Sequence, residues 1–297
     1  MEDAKKIFII LNPIAGKGIS EKLLYKITGF FKDKGYSVDF CKTKRRGDAK
    51  EAVLRLNGDH HIVVIMGGDG TINEVLNGLG NRKVKLGIIP TGTANVLAKE
   101  LKIPFDIMNA CEIITQENEL RLDLGKNDRG YFILVAGVGI DAMVVKDLSA
   151  VRKGNISFFS YTVPIIKNLL NYKYPKLSVE VDGKLIENNA GLVFVGNTRC
   201  YGGPIEVTSH AKANDGVFDI CIVKIKSRLS ILPLMCRALM RILPESKGVI
   251  YTKGKIVSVV SDTQVPYQMD GDFAGYIPTK FEIVPNAVSV LVPKSIS

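Results

Sequence analysis

Several patterns that define common protein classes are missing from this sequence of 297 residues. It has no tryptophan, and its five cysteines are scattered and form no CxxC pair, so neither a disulfide framework nor a zinc site of the usual spacing is expected. No apolar run reaches the roughly 18 residues of a transmembrane helix. The polar start Met1–Lys6 is unlike a secretory signal. We therefore expect a reduced, cytoplasmic protein.

An excess of acidic residues is also missing. Lys and Arg number 40 against 30 Asp and Glu, which gives a net charge of +10. This balance favours an anionic partner such as a nucleotide or an acidic lipid surface. Nucleic acid is not expected, because the basic residues are scattered and no aromatic residues are interleaved with them. The composition is 46% apolar, which predicts substantial hydrophobic cores.

The pattern of the chain changes after Leu120. Before it, apolar runs near Lys6, Ser37, Ile62 and Lys85 predict strands separated by helical segments, as in a Rossmann-like parallel sheet. Ser20 is placed to cap the first helix, and Asp48 with Glu51 has capping-box spacing before the second. After Leu120, strand and turn patterns predominate, with one helical stretch near 158–170. We predict an α/β domain over residues 1–123 and a mainly antiparallel β-sandwich over 124–297.

Polar loops that contain glycine follow three of the predicted parallel strands, at 12–18, 67–71 and 91–95, and a fourth strand ends near Thr43. Ligands of open parallel sheets lie beyond these strand ends, so the loops are expected to converge. Glycines before a helix N-terminus favour bound phosphate. Asp69 within such a loop is costly beside phosphate unless a cation or a hydrogen-bond donor offsets it, which suggests metal-assisted phosphate chemistry. Neither a Walker A loop nor GxGxxG is present.

Three motifs occur in a fixed order: NPxxG at 12–16, GGDGTxNE at 67–74 and PxGTxNxxA at 90–98. Further short motifs follow downstream: Leu122-Asp123, Gly137–Asp141, Tyr201–Gly203, Asn214–Gly216 and Asp270–Asp272. Together they resemble the diacylglycerol kinase catalytic-domain family, which includes sphingosine kinases and soluble bacterial lipid kinases. The resemblance spans the whole chain. It implies a kinase that uses ATP and Mg²⁺ to phosphorylate a lipid hydroxyl, that of diacylglycerol or a related lipid.

The resemblance also implies roles for individual residues. Asp270 or Asp272 would be the catalytic base; the family commonly has Asp-Gly-Glu here, and this chain has the shorter Asp272 at the third position. A structural Mg²⁺ would be bound by Asp215 and by backbone carbonyls at Lys212 and Val217. Asp69 and Asp123 would lie near the catalytic metal. The residues expected to bind ATP are Asn12, Pro13, Ile14, Ala15, Gly16, Thr43, Gly67, Gly68, Asp69, Gly70, Thr71, Ile72, Asn73 and Thr93.

Two other functions stay open at this point. NAD kinase has a related fold with a GGDGT loop, although Pro90–Asn95 matches the lipid-kinase pattern better. A nucleotide-binding regulator that associates with membranes without turnover is the second alternative, and retained carboxylates argue against it, because binding alone needs no general base. The lipid substrate and a homodimeric state also stay open.

The segment 227–247 combines many apolar residues with Arg228, Arg237 and Arg241. Such a segment is either a helix at the membrane interface, with its arginines against anionic lipid, or a buried helix with a thin polar stripe. In the first case the protein would contact membranes peripherally. Asp141 either caps a helix or contributes to the site. Lys44–Arg46 is either a solvated loop or a phosphate-steering element next to Thr43.

Overall fold

The computed structural model describes residues 5–16, 18–80, 82–151, 174–201, 205–225 and 231–296. The predicted helical stretch near 158–170 lies outside these residues, as does part of the Tyr201–Gly203 motif. The chain divides into two compact units. Unit 1 comprises Met1–Leu122 together with Asn286–Ser297, and unit 2 comprises Asp123–Pro285. The C-terminal return to unit 1 has no counterpart in the sequence-based division, whose boundary at 123/124 stays a prediction.

Unit 1 alternates strands and helices as predicted. Its elements are β1 Lys6–Leu11, α1 Glu21–Asp33, β2 Ser37–Lys42, α2 Asp48–Leu54, β3 Ile62–Gly67, α3 Asp69–Leu79, β4 Lys85–Pro90, α4 Val96–Glu100 and α5 Ile107–Gln116. The strands are hydrogen-bonded in the order β2-β1-β3-β4, and all of these pairs are parallel. β3 is buried along its whole length, which explains its uninterrupted apolar sequence.

The helix ends of unit 1 follow from local hydrogen bonding. Ser20 caps α1 by accepting the N–H of Leu23, as its sequence position predicts. The capping box predicted at Asp48 is wrong, because α2 begins at Asp48 itself and its N-cap is Gly47. The Asp48 carboxylate instead accepts the N–H groups of Lys44 and Arg45 in the preceding turn.

Unit 2 is built mainly from antiparallel strands. Its elements, with β5 and β18 shared with unit 1, are β5 Glu119–Asn127, β6 Gly130–Phe132, β7 Val135–Val138, α6 Ile140–Val151, β8 Leu177–Val181, β9 Lys184–Ala190, β10 Leu192–Gly196, β11 Cys200–Tyr201, β12 Ile205–Glu206, β13 Phe218–Val223, α7 Ile231–Leu239, β14 Val249–Gly254, β15 Ile256–Val260, β16 Pro266–Met269, β17 Asp272–Tyr276 and β18 Thr279–Leu291. From Asn286 onward β18 belongs to unit 1, where it pairs with β4 in parallel.

The core of unit 2 lies between two layers of strands. One layer has the order β14-β13-β10-β7-β16-β17, and the other includes β15 paired with the first part of β18 and with β8. Apolar side chains of both layers form one cluster, in which Phe132 stacks on Phe218 and meets Phe281 edge-on. The predicted fold class is confirmed: a parallel α/β domain and an antiparallel β-sandwich.

Two elements of unit 2 differ from the sequence-based prediction. The extent of helix α6, Ile140–Val151, was not predicted, although Asp141 was considered as a helix cap, because its residues follow directly on an apolar strand pattern. β18 is one strand of 13 residues, whereas the sequence pattern predicts two shorter strands, over 280–284 and 288–292. Pro285 and Asn286 interrupted the apolar pattern, but the strand continues through them, with Asn286 at a positive φ of 51°.

Candidate active site

Three loops of unit 1 meet at the carboxyl ends of its parallel strands. A Cβ atom on Gly16 would lie 2.2 Å from the carbonyl oxygen of Thr91, and one on Gly92 would lie 2.4 Å from the Cα of Gly68. The Asn12 amide donates to Thr71 Oγ1 at 3.1 Å. The predicted convergence of these loops is therefore observed, and the backbones pack so closely that glycine is required at two of the contacts.

Helix α3 begins inside the glycine loop, at Asp69, whereas the sequence pattern predicts a start at Ile72. Its N-cap is Gly68, so the N–H groups of Asp69 and Gly70 belong to the first turn, where a helix leaves its donors unpaired. Thr71 and Ile72 are buried, with 7% and 2% exposure. Their N–H groups donate to the Gly68 carbonyl at 3.0 and 3.1 Å, so the donors that suit this loop to an anion at the helix N-terminus are those of Asp69 and Gly70.

Asp69 binds backbone donors. Its Oδ2 accepts the N–H of Val96 at 3.0 Å and its Oδ1 accepts the N–H of Leu97 at 3.1 Å. The side chain thus caps α4, whose N-cap residue Asn95 has a left-handed backbone and no side-chain cap of its own. Asp69 fixes the 91–95 loop against α3 in this way. Its assignment near a catalytic metal stays a prediction.

The remaining residues predicted to bind ATP lie on or beside these loops. Thr43 is buried, and its N–H donates to the carbonyl of Leu11 at 2.9 Å, directly before Asn12. Ile14 and Thr93 are exposed at the loop surfaces. Pro13, Ala15 and Asn73 are half-exposed. The structure brings the predicted set together within one unit.

In unit 2 the predicted catalytic segment is the hairpin turn between β16 and β17. Asp270 and Gly271 are its two central residues, both with positive φ (50° and 80°), and Met269 pairs with Asp272 across the turn. The Asp270 carboxylate accepts three consecutive backbone N–H groups: Ile133 at 2.9 Å, Leu134 at 2.8 Å and Val135 at 3.2 Å. This side chain anchors the turn to the segment before β7.

Asp272 differs from Asp270 in its position. It is the first residue of β17 and is half-exposed, one residue beyond the turn. The turn itself is held by the side chain of Gln268, whose Oε1 accepts the N–H of Gly271 at 2.8 Å. Gln268 is fully buried. The position of Asp272 is thus set by two side-chain-to-backbone anchors on the preceding residues.

Asp123 also binds a backbone donor. It is 1% exposed, and its Oδ2 accepts the N–H of Gly216 at 2.7 Å, while its own N–H donates to the carbonyl of Ala213. Buried Asn197 donates to the Asp123 carbonyl at 2.8 Å and to that of Ile133 at 2.9 Å. Asp123 therefore fixes the loop that contains Lys212, Asp215 and Val217. Its proximity to a catalytic metal stays a prediction.

The donor set predicted for a structural Mg²⁺ consists of one carboxylate and two carbonyls, which suits this ion. In this structure Asp215 already has a cationic partner, because Lys253 Nζ lies 3.1 Å from its Oδ2 and 3.0 Å from buried Asp219. Burial lowers the pKa of Lys253, but its bonds to Asp219 and Asp215 outweigh burial and raise the pKa above its usual range. The loop fits Mg²⁺ in its chemistry, with Lys253 as a competitor. Among the described residues no group of three acidic, His or Cys side chains forms a metal cluster.

Sequence reasoning missed two structural side chains that lie within the recognised motifs. Glu74, the last residue of GGDGTxNE, accepts the N–H groups of Gly47 and Ala49 at 2.9 and 3.2 Å and so caps α2. Asn95 donates to the carbonyl of Gly92 at 2.9 Å and is 4% exposed. Their membership of the two motifs was the available signal. Local spacing could not indicate the partners of Glu74, which lie 27 and 25 residues away.

Two family models match this chain in sequence. Residues 6–127 match the diacylglycerol kinase catalytic domain, and residues 134–292 match the YegS C-terminal NAD kinase beta sandwich-like domain. A diacylglycerol kinase of Staphylococcus haemolyticus is 32% identical over 97% of this chain and 88% of its own length. The chain belongs to the diacylglycerol kinase family. It is a lipid kinase.

Other relatives of the family agree with this assignment. A diacylglycerol kinase of Staphylococcus aureus strain Newman is 30% identical over 98% of this chain and 94% of its own length. The crystal structure of a Bacillus anthracis diacylglycerol kinase superposes with a TM-score of 0.78 at 24% identity, covering 99% of this chain and 98% of that one, and supports the fold. Within the described residues, no helix is both long and apolar enough to span a bilayer.

Proposed function

We propose that this family member transfers the γ-phosphate of ATP to the hydroxyl of diacylglycerol or a closely related lipid, with Mg²⁺. The observation that carries the proposal is the meeting of three glycine-containing loops at the N-terminus of α3, held by the Asn12–Thr71 bond. Backbone donors at such a helix N-terminus bind phosphate oxygens. Diacylglycerol is proposed as the acceptor because relatives that match nearly the whole chain are named diacylglycerol kinases.

Asp272 is proposed as the general base in preference to Asp270. Both oxygens of Asp270 already accept backbone N–H groups, and removing it from them would leave three donors near β7 without that acceptor. Asp272 is half-exposed at the start of β17. A base must reach the proton it accepts, so the partly exposed carboxylate is the better candidate.

The proposed reaction is a direct transfer. Asp272 accepts the proton of the lipid hydroxyl, the hydroxyl oxygen forms a bond to the γ-phosphorus, and the bond to the β–γ bridging oxygen breaks to leave ADP. The residues Asn12–Gly16, Thr43, Gly67–Asn73 and Thr93 would bind the nucleotide. Mg²⁺, when bound, supplies neutralisation of phosphate charge. Asp69 and Asp123 are the proposed acidic groups near it, and Asp215 with the carbonyls of Lys212 and Val217 is proposed for a structural ion.

Transfer of labelled γ-phosphate from ATP to diacylglycerol in mixed micelles tests this proposal. The wild type and Asp270→Asn and Asp272→Asn variants are compared in turnover and thermal unfolding. We expect Asp272→Asn to lose activity while unfolding at the wild-type temperature, and Asp270→Asn to unfold at a lower temperature. An active Asp272→Asn enzyme would refute the assignment of the base.

The same assay with NAD in place of the lipid separates the alternatives. A labelled product from NAD would favour an NAD kinase. ATP binding by calorimetry without a labelled product from any lipid in a total extract would favour a non-catalytic regulator. A lipid product other than phosphatidic acid, identified by mass spectrometry, would correct the acceptor and keep the kinase.

We propose that the enzyme meets its lipid by peripheral contact at a membrane, through the end of α7 and the residues after it. Leu239, Met240 and Ile242 are 52%, 59% and 43% exposed, which is unusual for neighbouring large apolar side chains. Arg237 beside them is also exposed. Arg241 contributes a second exposed guanidinium, although it pairs with Glu206 at 3.2 Å. Apolar side chains flanked by arginines fit an anionic bilayer surface.

Sedimentation with phosphatidylglycerol vesicles tests this contact. A Leu239→Gln/Met240→Gln variant is expected to remain folded and to lose most of its vesicle binding. Leu185→Gln is the matched control, since Leu185 is equally exposed (52%) on β9 without this arginine pair. Equal vesicle binding by both variants and the wild type would show that this surface is not the membrane contact.

A further inference from the structure

One carboxylate of unit 2 has no role in the proposed chemistry. Asp141 is the second residue of α6, and the tip of its side chain is enclosed although the residue as a whole is half-exposed. Its Oδ2 accepts the Tyr201 hydroxyl at 3.2 Å and the Gln268 amide Nε2 at 3.3 Å. Its Oδ1 is closed off from solvent. Enclosing a carboxylate is costly, so this arrangement requires an explanation.

The surrounding backbone makes room for this carboxylate. A Cβ atom on Gly137 would lie 2.0 Å from Asp141 Oδ2 and 2.8 Å from Gln268 Nε2. Gly137 lies in β7, which pairs with β16, and Gln268 is its partner across that pair. The absence of a side chain at 137 therefore permits the contact between Asp141 and Gln268.

Gln268 connects this carboxylate to the catalytic turn. Its Oε1 accepts the N–H of Gly271, which fixes the amide orientation, because only the oxygen can accept that proton. The Nε2 group must then donate, and Asp141 is its acceptor. The resulting chain of hydrogen bonds runs from Asp141 through Gln268 to Gly271, which lies between Asp270 and Asp272.

We propose that Asp141 is a positioning residue for the base: its ionised carboxylate orients the Gln268 amide, which in turn holds the turn that presents Asp272. This inference rests on the proposed function, since it concerns the position of the proposed base. Asp141 touches neither substrate nor reacting atoms in this role.

The ionisation of Asp141 gives the arrangement a pH dependence. Burial is the main influence and raises the pKa of Asp141 to about 6, although hydrogen bonds from the Ala142 backbone, Tyr201 and Gln268 lower it in part. The described titratable groups on α6 and on the strands packed against it, and in the intervening turn, are Lys146, Asp147, Tyr267, Asp270, Asp272 and Tyr276. Lys146 donates to the Tyr276 hydroxyl at 2.8 Å, so this cation has a partner of its own on β17.

The direction of the effect follows from the charge. Above the pKa, ionised Asp141 accepts a strong hydrogen bond from Gln268. As the pH falls through about 6, protonation weakens this bond, and the turn loses part of its restraint. We expect the wild-type kcat to fall over this range through a step that a neutral side chain at position 141 lacks.

Three variants test the inference by two readouts. Asp141→Asn retains an acceptor oxygen of the same shape without the titration, Asp141→Leu removes the acceptor, and Asp262→Asn in an exposed loop is the matched control. We expect Asp141→Leu to lower kcat about tenfold or more, as loss of a charged hydrogen bond would, with little change in the KM for ATP. Asp141→Asn should retain most of the activity at pH 8 and lose the acidic step near pH 6.

Hydrogen exchange of the Gly271 amide, followed by NMR, is the second readout and needs no activity. We expect faster exchange in Asp141→Leu than in the wild type or in Asp262→Asn. Unchanged exchange in Asp141→Leu, or an acidic step that persists in Asp141→Asn, would overturn the inference. If exchange changes as expected while Asp272→Asn stays active, the positioning contact is real and the proposed base is wrong.

Discussion

The two units hold their proposed functional groups in different ways. In unit 1 the backbone is the proposed binding surface, and Gly16, Gly68 and Gly92 let three loops approach one another. In unit 2 the proposed chemistry lies in side chains, and a hairpin turn is anchored by Asp270 and Gln268 so that Asp272 has a defined position. We therefore expect function to be sensitive to substitutions that add a side chain at the glycines of unit 1. In unit 2 we expect it to be sensitive to substitutions that change a hydrogen-bonding side chain.

The comparison also shows what most of the acidic motif residues do. Asp69 in unit 1 and Asp123 and Asp270 in unit 2 each accept backbone N–H groups from a segment distant in sequence. A carboxylate satisfies such donors through charge-assisted bonds, which are about twice as strong as neutral ones. An acidic residue in a kinase motif can thus stabilise the architecture of the site without taking part in the reaction.

The largest effect is expected at the base. Asp272→Asn should lower kcat by about 10²- to 10⁴-fold, the usual contribution of a general base, with the KM for ATP nearly unchanged. Asp272→Glu, which has the side chain that the family commonly uses there, is expected to remain active. Steady-state kinetics with diacylglycerol micelles measures both. If the KM for ATP rose in Asp272→Asn while kcat stayed unchanged, the proposal that unit 2 supplies the base and unit 1 binds ATP would be wrong.

A glycine substitution in unit 1 should give the opposite pattern. Gly92→Ala would place a Cβ 2.4 Å from the Gly68 Cα, a backbone contact that no side-chain rotation can relieve, and 2.7 Å from the side-chain Oδ1 of Asn95. We expect about 1–3 kcal/mol lower stability and a KM for ATP raised by about tenfold. Urea unfolding and ATP titration measure these changes.

The control for this substitution lies in the same unit. Gly29 is in α1, and a Cβ there would meet nothing within 4 Å. Gly29→Ala should therefore leave ATP binding unchanged and raise stability by about 0.5–1 kcal/mol through helix propensity. Equal ATP affinity in Gly92→Ala and Gly29→Ala would show that the close packing of the loops is not needed.

The sequence predicted unit 1 better than unit 2 for a physical reason. Strands such as Ser37–Lys42 and the cap at Ser20 follow from hydrophobic periodicity and local hydrogen bonding, which are written in adjacent residues. The roles of Asp270, Glu74 and Gln268 depend on partners in distant segments. Motif order predicted which residues belong to the site, but it could not predict which of them anchor distant segments by hydrogen bonds.

A third prediction concerns the cation of unit 2. Lys253→Met would leave buried Asp219 without its ammonium partner. We expect the free energy of unfolding to fall by about 2 kcal/mol, a figure that allows for the partial exposure of the lysine. Added Mg²⁺ should then raise the unfolding temperature of Lys253→Met more than that of the wild type, because Asp215 becomes available. Calorimetric scans with Mg²⁺ or EDTA measure this, with exposed Lys184→Met as the control. If Mg²⁺ changed the unfolding temperature equally in all three proteins, Asp215 would not be a ligand of the metal.

The smallest effect is expected in unit 1, far from its glycine loops. Burial raises the pKa of Glu117, but hydrogen bonds from Lys5, Tyr36 and Lys85 outweigh it and hold the pKa below its usual range. A depressed carboxyl pKa contributes stability above the unfolded-state value of about 4.3, and this contribution is lost as the pH falls through the lower folded-state value.

Glu117→Gln should therefore lower the free energy of unfolding by less than about 1 kcal/mol at pH 7. The difference in this free energy from the wild type should shrink between pH 5 and pH 3. Urea unfolding across this range measures it, with exposed Glu112→Gln on α5 as the control. ATP binding should be unchanged in both variants, since the nucleotide is proposed to bind at the glycine loops and neither Glu117 nor Glu112 belongs to them. A pH-independent loss in Glu117→Gln would mean that packing, and not charge, is what Glu117 contributes.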